Sequence, residues 1–241
     1  MRCSGLVFVA LLLLGGCAAS PDPDSLSHDP LEEPNREAHD FNLGIDTQAF
    51  GPVARGYGNA VPQEVRRGIS NVHENWLGPE QIVQYGLQGR PADAAKTTAR
   101  FLINSTVGIA GIFDVAAKMG IPYDKTNFDE VFYRWGIPEG GYWEVPYGGP
   151  GTQRDWTGYA LDEMLDPTYY VLPGAALTGL LVAGGLNIVN NRYELDTTFD
   201  TLNYQSQDGY EAQRIAYIQN MRARLKGGTD VEQLEDVYAE Q

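Results

Sequence analysis

The sequence has few of the side chains on which most catalytic and metal sites depend. It contains two cysteines and three histidines in 241 residues: Cys3, Cys17, His28, His39 and His73. His73 and Glu74 begin like the HExxH motif of zinc proteases, but Leu77 stands where the second histidine ligand belongs. The sequence also has no GxSxG nucleophile elbow and no P-loop. We therefore expect no enzymatic reaction, no metal and no cofactor, and we expect His39 and His73 at the surface or at an interface.

Basic residues are scarce as well. The chain has 17 lysine and arginine residues against 32 aspartate and glutamate residues, which gives a formal net charge of −15. A surface of this sign repels nucleic acid and anionic lipid headgroups. We expect no nucleic-acid partner and no attachment to a membrane through a basic patch.

The amino-terminal residues are typical of a secretory signal. Arg2 precedes an apolar run from Leu6 to Leu14, which is shorter than the roughly 20 residues of a membrane span. The following Gly15-Gly16-Cys17 resembles the lipobox of bacterial lipoproteins, in which a peptidase cuts before the cysteine and its thiol carries diacylglycerol. The sequence thus predicts a signal peptide over residues 1–16 and a lipid on Cys17. The alternative is an ordinary signal with an incidental cysteine.

Residues 17–28 are small, polar and proline-rich, which is typical of a flexible tether. Ala18 stands where an inner-membrane retention signal has Asp, so by similarity to enterobacterial sorting the outer membrane is favoured. With Cys3 removed and Cys17 acylated, no disulfide is available to the mature chain.

The rest of the chain is predicted to be one all-α domain over residues 29–226, followed by an acidic, loosely ordered tail over residues 227–241. Apolar residues recur with a period near 3.6 in several segments. Helices are expected over residues 62–77, around 79–89, over 92–103, from Phe128 to Trp135, from a Thr152–Asp155 capping box to about Leu165, and along Ile215–Leu225. Residues 137–151, rich in glycine, proline and aromatics, predict an irregular loop or a short hairpin.

Two segments are unusually apolar. Ser105–Gly120 is glycine-rich and is interrupted by Asp114, for which we expect a structural ion pair with Arg100 or Arg134. Pro167–Asn191 carries no charge, and its part from Gly174 to Val189 is apolar on every side. Such a helix is buried either in a protein core or in lipid, and the pattern does not decide between the two. Its glycines are expected to allow close helix packing: Gly174, Gly179, Gly184 and Gly185.

Several segments together resemble the MlaA (VacJ) family of outer-membrane lipoproteins. The matching segments, in chain order, are Asp29-Pro30-Leu31-Glu32, Asn35-Arg36, Phe41-Asn42, Pro62 with Val65-Arg66, Asn71 with Asn75, Arg100–Ala116, Trp135-Gly136, Gly141-Tyr142-x-x-x-Pro146 and Gly149-Pro150-x-x-x-Arg154-Asp155. The strongest match has the family signature at Asn104, Ser105, Thr106, Gly108, Gly111 and Asp114. The likeness extends from about His28 to Pro167.

The resemblance implies both a fold and a function. It implies a ring-like bundle of amphipathic helices embedded in the periplasmic leaflet of the outer membrane, with an amphipathic channel that moves phospholipid from the outer leaflet toward the periplasm. The implied partners are phospholipid, a trimeric porin and a soluble periplasmic phospholipid carrier. Candidates for the channel or its flexible loop are Phe41, Asn42, Gly140, Gly141, Tyr142 and Trp143, with the two aromatics of the loop at the membrane interface. Candidates for the membrane-facing surface are Leu177, Leu180, Leu181 and Val182.

Two other functions fit part of the sequence. A structural lipoprotein that organises porins and moves no lipid explains the anchor and the helices, but not the uncharged segment. A phospholipase requires a serine or histidine nucleophile system, for which His39 and His73 are poor candidates.

Overall fold

A computed structural model describes residues 29–227 and shows an almost entirely helical chain. The predicted signal peptide, Cys17, the tether and all but the first residue of the predicted tail lie outside these residues. The helices are α1 (Glu32–Ile45), α2 (Gly51–Ala60), α3 (Gln63–Leu87), α4 (Pro91–Thr106), α5 (Val115–Lys118), α6 (Phe128–Arg134), α7 (Gln153–Leu165), α8 (Thr168–Val171), α9 (Gly174–Glu194), α10 (Asp196–Asp200) and α11 (Gly209–Leu225). Two π-helical turns, Asp46–Phe50 and Thr201–Gln205, follow α1 and α10.

Local sequence signals set several of these boundaries. The Thr152 side chain accepts from the backbone N–H of Asp155, whose carboxylate accepts from the backbone of Thr152, so the predicted capping box opens α7. The prediction of two helices between residues 62 and 89 is wrong, because α3 runs unbroken from Gln63 to Leu87 with Pro79 inside it. Proline removes one backbone hydrogen bond, but α3 packs against α4, α6 and α9, and this packing outweighs the loss.

The segment after α6 forms the short hairpin that was one of the two expectations. Strand β1 (Tyr142–Val145) pairs antiparallel with β2 (Gly149–Thr152), in a register that places Tyr142 opposite Thr152 and Val145 opposite Gly149.

The helices and the hairpin form a closed cycle of packed neighbours. From α1 the cycle passes through the first π-helical turn to α2, and then to α9, α3, α6 and α7. It returns from α7 through β2 and β1 to α1. Helix α11 packs on β2 and on the second π-helical turn. This arrangement is the ring-like helical bundle expected from the sequence.

Burial in this ring is unusual for a helical protein. Among residues 29–227, buried polar and charged side chains outnumber buried hydrophobic ones, and many large hydrophobic side chains are exposed. The main apolar cluster is small and joins the hairpin to α11 through Tyr142, Tyr210, Ile218, Met221 and Leu225. A water-soluble domain normally buries its Val, Ile, Leu and Phe residues, so this distribution points to a second apolar environment outside the protein.

Candidate functional site: an apolar exterior and a polar interior

The side-chain exposure of helix α9 distinguishes between the two environments considered for the uncharged segment, a protein core and lipid. Leu181 and Val182 are 53% and 56% exposed, and the buried residues of the helix are Ala183 and Arg192. The remaining candidates for the membrane-facing surface, Leu177 and Leu180, are half-buried. The helix is therefore not the centre of a soluble core. It presents an uncharged apolar face outward, as expected for contact with lipid or with another apolar surface.

Glycine packing along α9 is confined to one point. A methyl group built on Gly184 would lie 3.3 Å from the His73 ring of α3, whereas Gly174, Gly179 and Gly185 face open space. The prediction of close helix packing is thus right for Gly184 and wrong for the other three. A closer approach occurs at Gly58 of α2, where a Cβ would lie 2.2 Å from the Tyr193 ring of α9.

Helix α3 exposes apolar side chains and buries polar ones over most of its length, although Gln63, Glu64 and Arg67 at its start are exposed as well. Val65, Val83 and Leu87 are exposed, whereas its buried side chains include Arg66, Asn75, Glu80, Gln81, Gln84 and Tyr85. This is the reverse of a surface helix in a soluble protein, which turns its apolar stripe inward. The ring therefore has apolar side chains outside and polar side chains inside.

A carboxylate pair, with Glu80 buried and Asp162 half-buried, joins α3 to α7 in this interior. The Gln84 side-chain amide donates to Glu80 at 2.9 Å and to Asp162 at 2.8 Å. Burial, together with the neighbouring Asp162 carboxylate, raises the pKa of Glu80, and burial also raises the pKa of Asp162. Two carboxylates this close cannot both ionise at low cost, so the pair retains a proton above the usual carboxyl range.

More titratable groups lie beside this pair. Burial, followed by the charge of Lys125, lowers the pKa of His73, and burial raises the pKa of Glu74. A small cavity of about 20 Å³ lies next to Glu74, with Arg100 and Tyr123 in its wall. This volume holds about one water molecule, so the cavity itself is not a phospholipid site.

The residues of the strongest sequence match build a tight turn between α4 and α5. Asn104 donates to the Asp114 carboxylate at 3.0 Å and accepts from the backbone N–H of Ala116 at 2.9 Å. Asp114 also accepts from Arg100 at 2.9 Å, which confirms the expected ion pair and selects Arg100 over Arg134. Ser105 accepts from Asn75 at 3.0 Å. These side chains hold the turn, so their role is structural.

Backbone geometry explains the glycines and the apolar surface of this turn. Gly111 has φ +96°, and a Cβ there would lie 2.7 Å from the Cβ of Asn75. A Cβ on Gly108 would lie 2.3 Å from the Phe113 carbonyl oxygen. Thr106 binds back to α4 through the Leu102 carbonyl at 2.6 Å. The resulting turn exposes four apolar side chains: Val107, Ile109, Ile112 and Phe113.

The predicted channel loop is held firmly to α1. Asn42 donates to the Val145 carbonyl at 3.1 Å and accepts from the backbone N–H of Tyr147 at 2.8 Å. The Phe41 and Tyr147 rings meet edge to face at 5.0 Å. Phe41 and Asn42 thus fasten the hairpin, and any passage they border is bordered by a braced hairpin rather than by a free loop.

Three expectations about this region need correction. Tyr142 is only 3% exposed and lies in the apolar cluster, not at a membrane interface, whereas Trp143 is half-buried. Gly140 has φ +73° and packs against Gln153, and Gly141 is buried, so both lie in packed backbone just before β1 rather than in an open loop. His39 is buried rather than at the surface, because its Nδ1 lies 3.1 Å from the Glu144 carboxylate of β1.

Sequence reasoning missed the interior ion pairs, because each joins distant parts of the chain. Arg192 of α9 bonds to Asp46 across 146 residues, and Arg154 bonds to Asp129 at 2.5 Å with both side chains buried. One signal was available: Glu80 and Gln84 stand one helical turn apart on α3 without a charged partner nearby in the chain.

Within residues 29–227 no group of three histidine, cysteine or acidic side chains is placed to hold a metal ion. No helix in the same range has the length and hydropathy required to cross a membrane.

Comparison with known proteins agrees with this architecture. The sequence model of a family described as MlaA lipoprotein matches residues 27–224. The chain belongs to the MlaA lipoprotein family. It is 32% identical over 232 residues to the intermembrane phospholipid transport system lipoprotein MlaA of Escherichia coli K12, a match that covers 95% of this chain and 90% of the relative. The corresponding MlaA protein of Shigella flexneri has the same identity and coverage.

A further sequence relative and a solved structure also cover most of the chain. An uncharacterised protein of Rickettsia conorii is 33% identical over 190 residues, which is 78% of this chain and 74% of the relative. A solved structure from work on the structural basis for maintenance of bacterial outer membrane lipid asymmetry matches with a TM-score of 0.67 and 29% identity. That match covers 80% of this chain and 96% of the other. The helical ring is therefore the MlaA fold.

Proposed function

We propose that this MlaA family member is an outer-membrane lipoprotein that removes phospholipid from the outer leaflet and passes it toward the periplasm. It thereby takes part in intermembrane phospholipid transport and maintains the lipid asymmetry of the outer membrane. The observation that carries the proposal is the inverted ring, with the uncharged apolar face of α9 outside and a hydrogen-bonded polar interior. The names of the Escherichia coli and Shigella flexneri relatives support the same function.

The physical basis is the barrier that a phospholipid meets in crossing a bilayer. Its charged headgroup must leave water, and an unpaired charge in hydrocarbon is costly. A ring that offers polar side chains within and tolerates lipid tails on its apolar surfaces lowers this barrier. Glu80, Gln84 and Asp162 show that the interior accommodates polar groups at depth.

Membrane attachment is assigned to lipid on Cys17, with the body in the periplasmic leaflet. The tether of residues 17–28 reaches about 40 Å when fully extended, which lets the ring settle beside its anchor. One acyl chain binds reversibly, and two or more make the anchoring durable. The outward face of α9 and the apolar turn at residues 107–113 supply further contact with lipid.

The proposed partners are phospholipid, a trimeric porin and a soluble periplasmic phospholipid carrier. The uncharged face of α9 offers the porin a surface that remains compatible with the bilayer. We propose no chemical reaction.

Deletion of the gene, followed by assay of phospholipid in the outer leaflet of intact cells, tests the proposal. Loss of the protein is expected to raise outer-leaflet phospholipid, and the wild-type gene restores the original level. A Cys17→Ser variant, which cannot be acylated, is not expected to restore it. Unchanged outer-leaflet phospholipid in the deletion strain would instead favour a scaffold lipoprotein that moves no lipid.

A further inference from the structure

A cationic cavity lies on the surface of this otherwise acidic protein. It has a volume of about 200 Å³ and lies between the α3–α4 turn, the loop before α6 and the end of α11. Its wall contains four cations and two carboxylates: Arg90, Lys125, Arg134, Arg224, Asp124 and Glu130. The local balance is therefore positive, whereas the whole chain has a net charge of −15.

Three of the cations keep hydrogen-bonding capacity. Lys125 and Arg134 are exposed and have no hydrogen bond or ion pair within residues 29–227. Arg224 lies 3.6 Å from Asp129 and 3.9 Å from Glu130, both beyond hydrogen-bond distance, and its Nε has no hydrogen-bond partner in the described part of the chain. Arg90, in contrast, is already bound to Asp93 at 2.8 Å.

Apolar side chains are exposed next to these cations. Tyr133 lines the cavity, and Trp135 follows Arg134 directly. The Trp135 indole donates to the Leu87 carbonyl at 3.1 Å. The side chains of Tyr133, Trp135 and Leu87 are all exposed. A positive cavity bordered by exposed apolar groups fits an amphiphile with an anionic head better than it fits a small inorganic anion.

Lys125 also links the cavity to the polar interior. Its charge contributes to the lowered pKa of His73, after burial, and opposes the rise that burial causes in the pKa of Asp162. An anion held by Lys125 is thus within electrostatic reach of the interior groups.

We propose that this cavity binds the phosphate of a phospholipid headgroup, with Lys125 and Arg134 as its principal cations. The guanidinium of Arg134 offers paired N–H donors to two phosphate oxygens, and the ammonium of Lys125 acts as a point charge. The inference rests on the proposed function, because the ligand is the cargo of the transport step.

The test is a binding titration of the full-length acylated protein in a nonionic amphipol. The probes are short-chain dihexanoylphosphatidylglycerol and, separately, inorganic phosphate. The double variant Lys125→Gln/Arg134→Gln is expected to weaken lipid binding about tenfold, from the loss of two charge contacts. The matched variant Arg67→Gln/Lys118→Gln removes two exposed cations elsewhere and is expected to bind as the wild type does.

Three results would overturn the inference. Equal lipid affinity of the double variant and the wild type excludes the cavity as the site. Inorganic phosphate that binds as tightly as the lipid excludes a lipid-specific role. The third concerns residues 228–241, which carry five carboxylates and no cation and follow Gly227 in the cavity wall. If the double variant weakens binding only in a chain truncated after Gly227, the acidic tail is the occupant.

Loss of the cavity as a binding site can be distinguished from loss of the proposed transport function. A double variant that restores normal outer-leaflet phospholipid in the deletion strain, and binds lipid as the wild type does, removes the cavity site and leaves the transport function intact.

Discussion

The Arg192 guanidinium donates two hydrogen bonds to the Asp46 carboxylate, from Nε to Oδ1 at 2.8 Å and from Nη2 to Oδ2 at 2.9 Å. Both side chains are buried, and Arg192 also binds Asp196 at 2.6 Å. Tyr204 of the second π-helical turn donates to the same Asp46 carboxylate at 3.1 Å. The contact therefore ties the end of α9 to both π-helical turns, and it secures the ring where α9 meets α1 and α2.

Asp46→Asn is expected to destabilise the fold because it leaves the buried Arg192 with less compensating charge. The free energy of unfolding should fall by about 2–3 kcal/mol, somewhat below the loss typical of a broken buried pair, since Asp196 and Asp200 remain bound to Arg192. Thermal unfolding followed by circular dichroism in detergent measures the change. Asp40→Asn, an exposed substitution on α1, is the control and should lie within about 0.5 kcal/mol of wild type. Equal thermal midpoints for the two variants would show that the Arg192–Asp46 ion pair contributes nothing to stability.

A spin label on Leu181→Cys is expected to report a lipid environment. With the proposed acylation of Cys17 and removal of Cys3 with the signal, the new cysteine is the one left for labelling. In bilayers, paramagnetic broadening by dissolved oxygen should exceed that by a water-soluble nickel chelate, since oxygen concentrates in hydrocarbon. The control is Glu194→Cys, which is exposed at the charged end of the same helix. Identical accessibility ratios at the two positions would place α9 in water.

Glu80→Gln is expected to change how stability depends on pH. Burial and Asp162 raise the pKa of Glu80, so above the usual carboxyl range, near pH 4, the folded state binds more protons than the unfolded state. Stability therefore decreases as pH rises through the window between the ordinary and the raised pKa. Glutamine imitates the protonated acid and keeps the hydrogen bond from Gln84, so the variant should lose less stability between about pH 5 and pH 8.

Thermal midpoints measured across that pH range check this expectation. Glu37→Gln, which neutralises an exposed carboxylate on α1, is the matched control and should follow the wild-type curve. If Glu80→Gln follows that curve as well, the pair does not hold an additional proton.

The signature turn gives a prediction with an internal comparison. Gly111 and Gly89 both have positive φ, at +96° and +70°, but only at Gly111 would a Cβ collide, 2.7 Å from Asn75. Gly89→Ala should therefore lose only the conformational term, about 1 kcal/mol. Gly111→Ala adds a steric clash and should lose about 2–4 kcal/mol in total. Chemical unfolding measures both, and equal losses would mean that the turn relaxes away from Asn75.

Local patterns predicted the elements well, because helices and caps depend on residues a few positions apart. The Thr152–Asp155 capping box and the apolar spacing from Phe128 to Trp135 both mark helices found in the structure. The uncharged stretch after Pro167 identified the helix with the apolar outer face. The match around Asn104 and Asp114 identified the family, and the structure shows that these residues shape a turn.

What the sequence could not provide are pairings across the ring. His39 looked like a surface residue because its partner, Glu144, lies 105 positions away. Glu80 and Asp162 are likewise brought together only when α7 packs beside α3 through α6. The choice between an irregular loop and a hairpin at residues 137–151 stayed open, because glycine content indicates turns but does not reveal hydrogen bonds such as those of Asn42.

The proposed phospholipid passage is tested most directly by asking whether the purified protein retains bound phospholipid. The full-length acylated protein, extracted in a mild detergent and exchanged into a second one, is examined by native mass spectrometry, with circular dichroism confirming its helical fold. A phospholipid-transporting ring should retain about one phospholipid molecule per chain, because the polar interior and the apolar walls hold the lipid during detergent exchange. A folded protein that carries none, beside a control lipoprotein handled identically, would contradict a passage for phospholipid and leave a scaffold in its place.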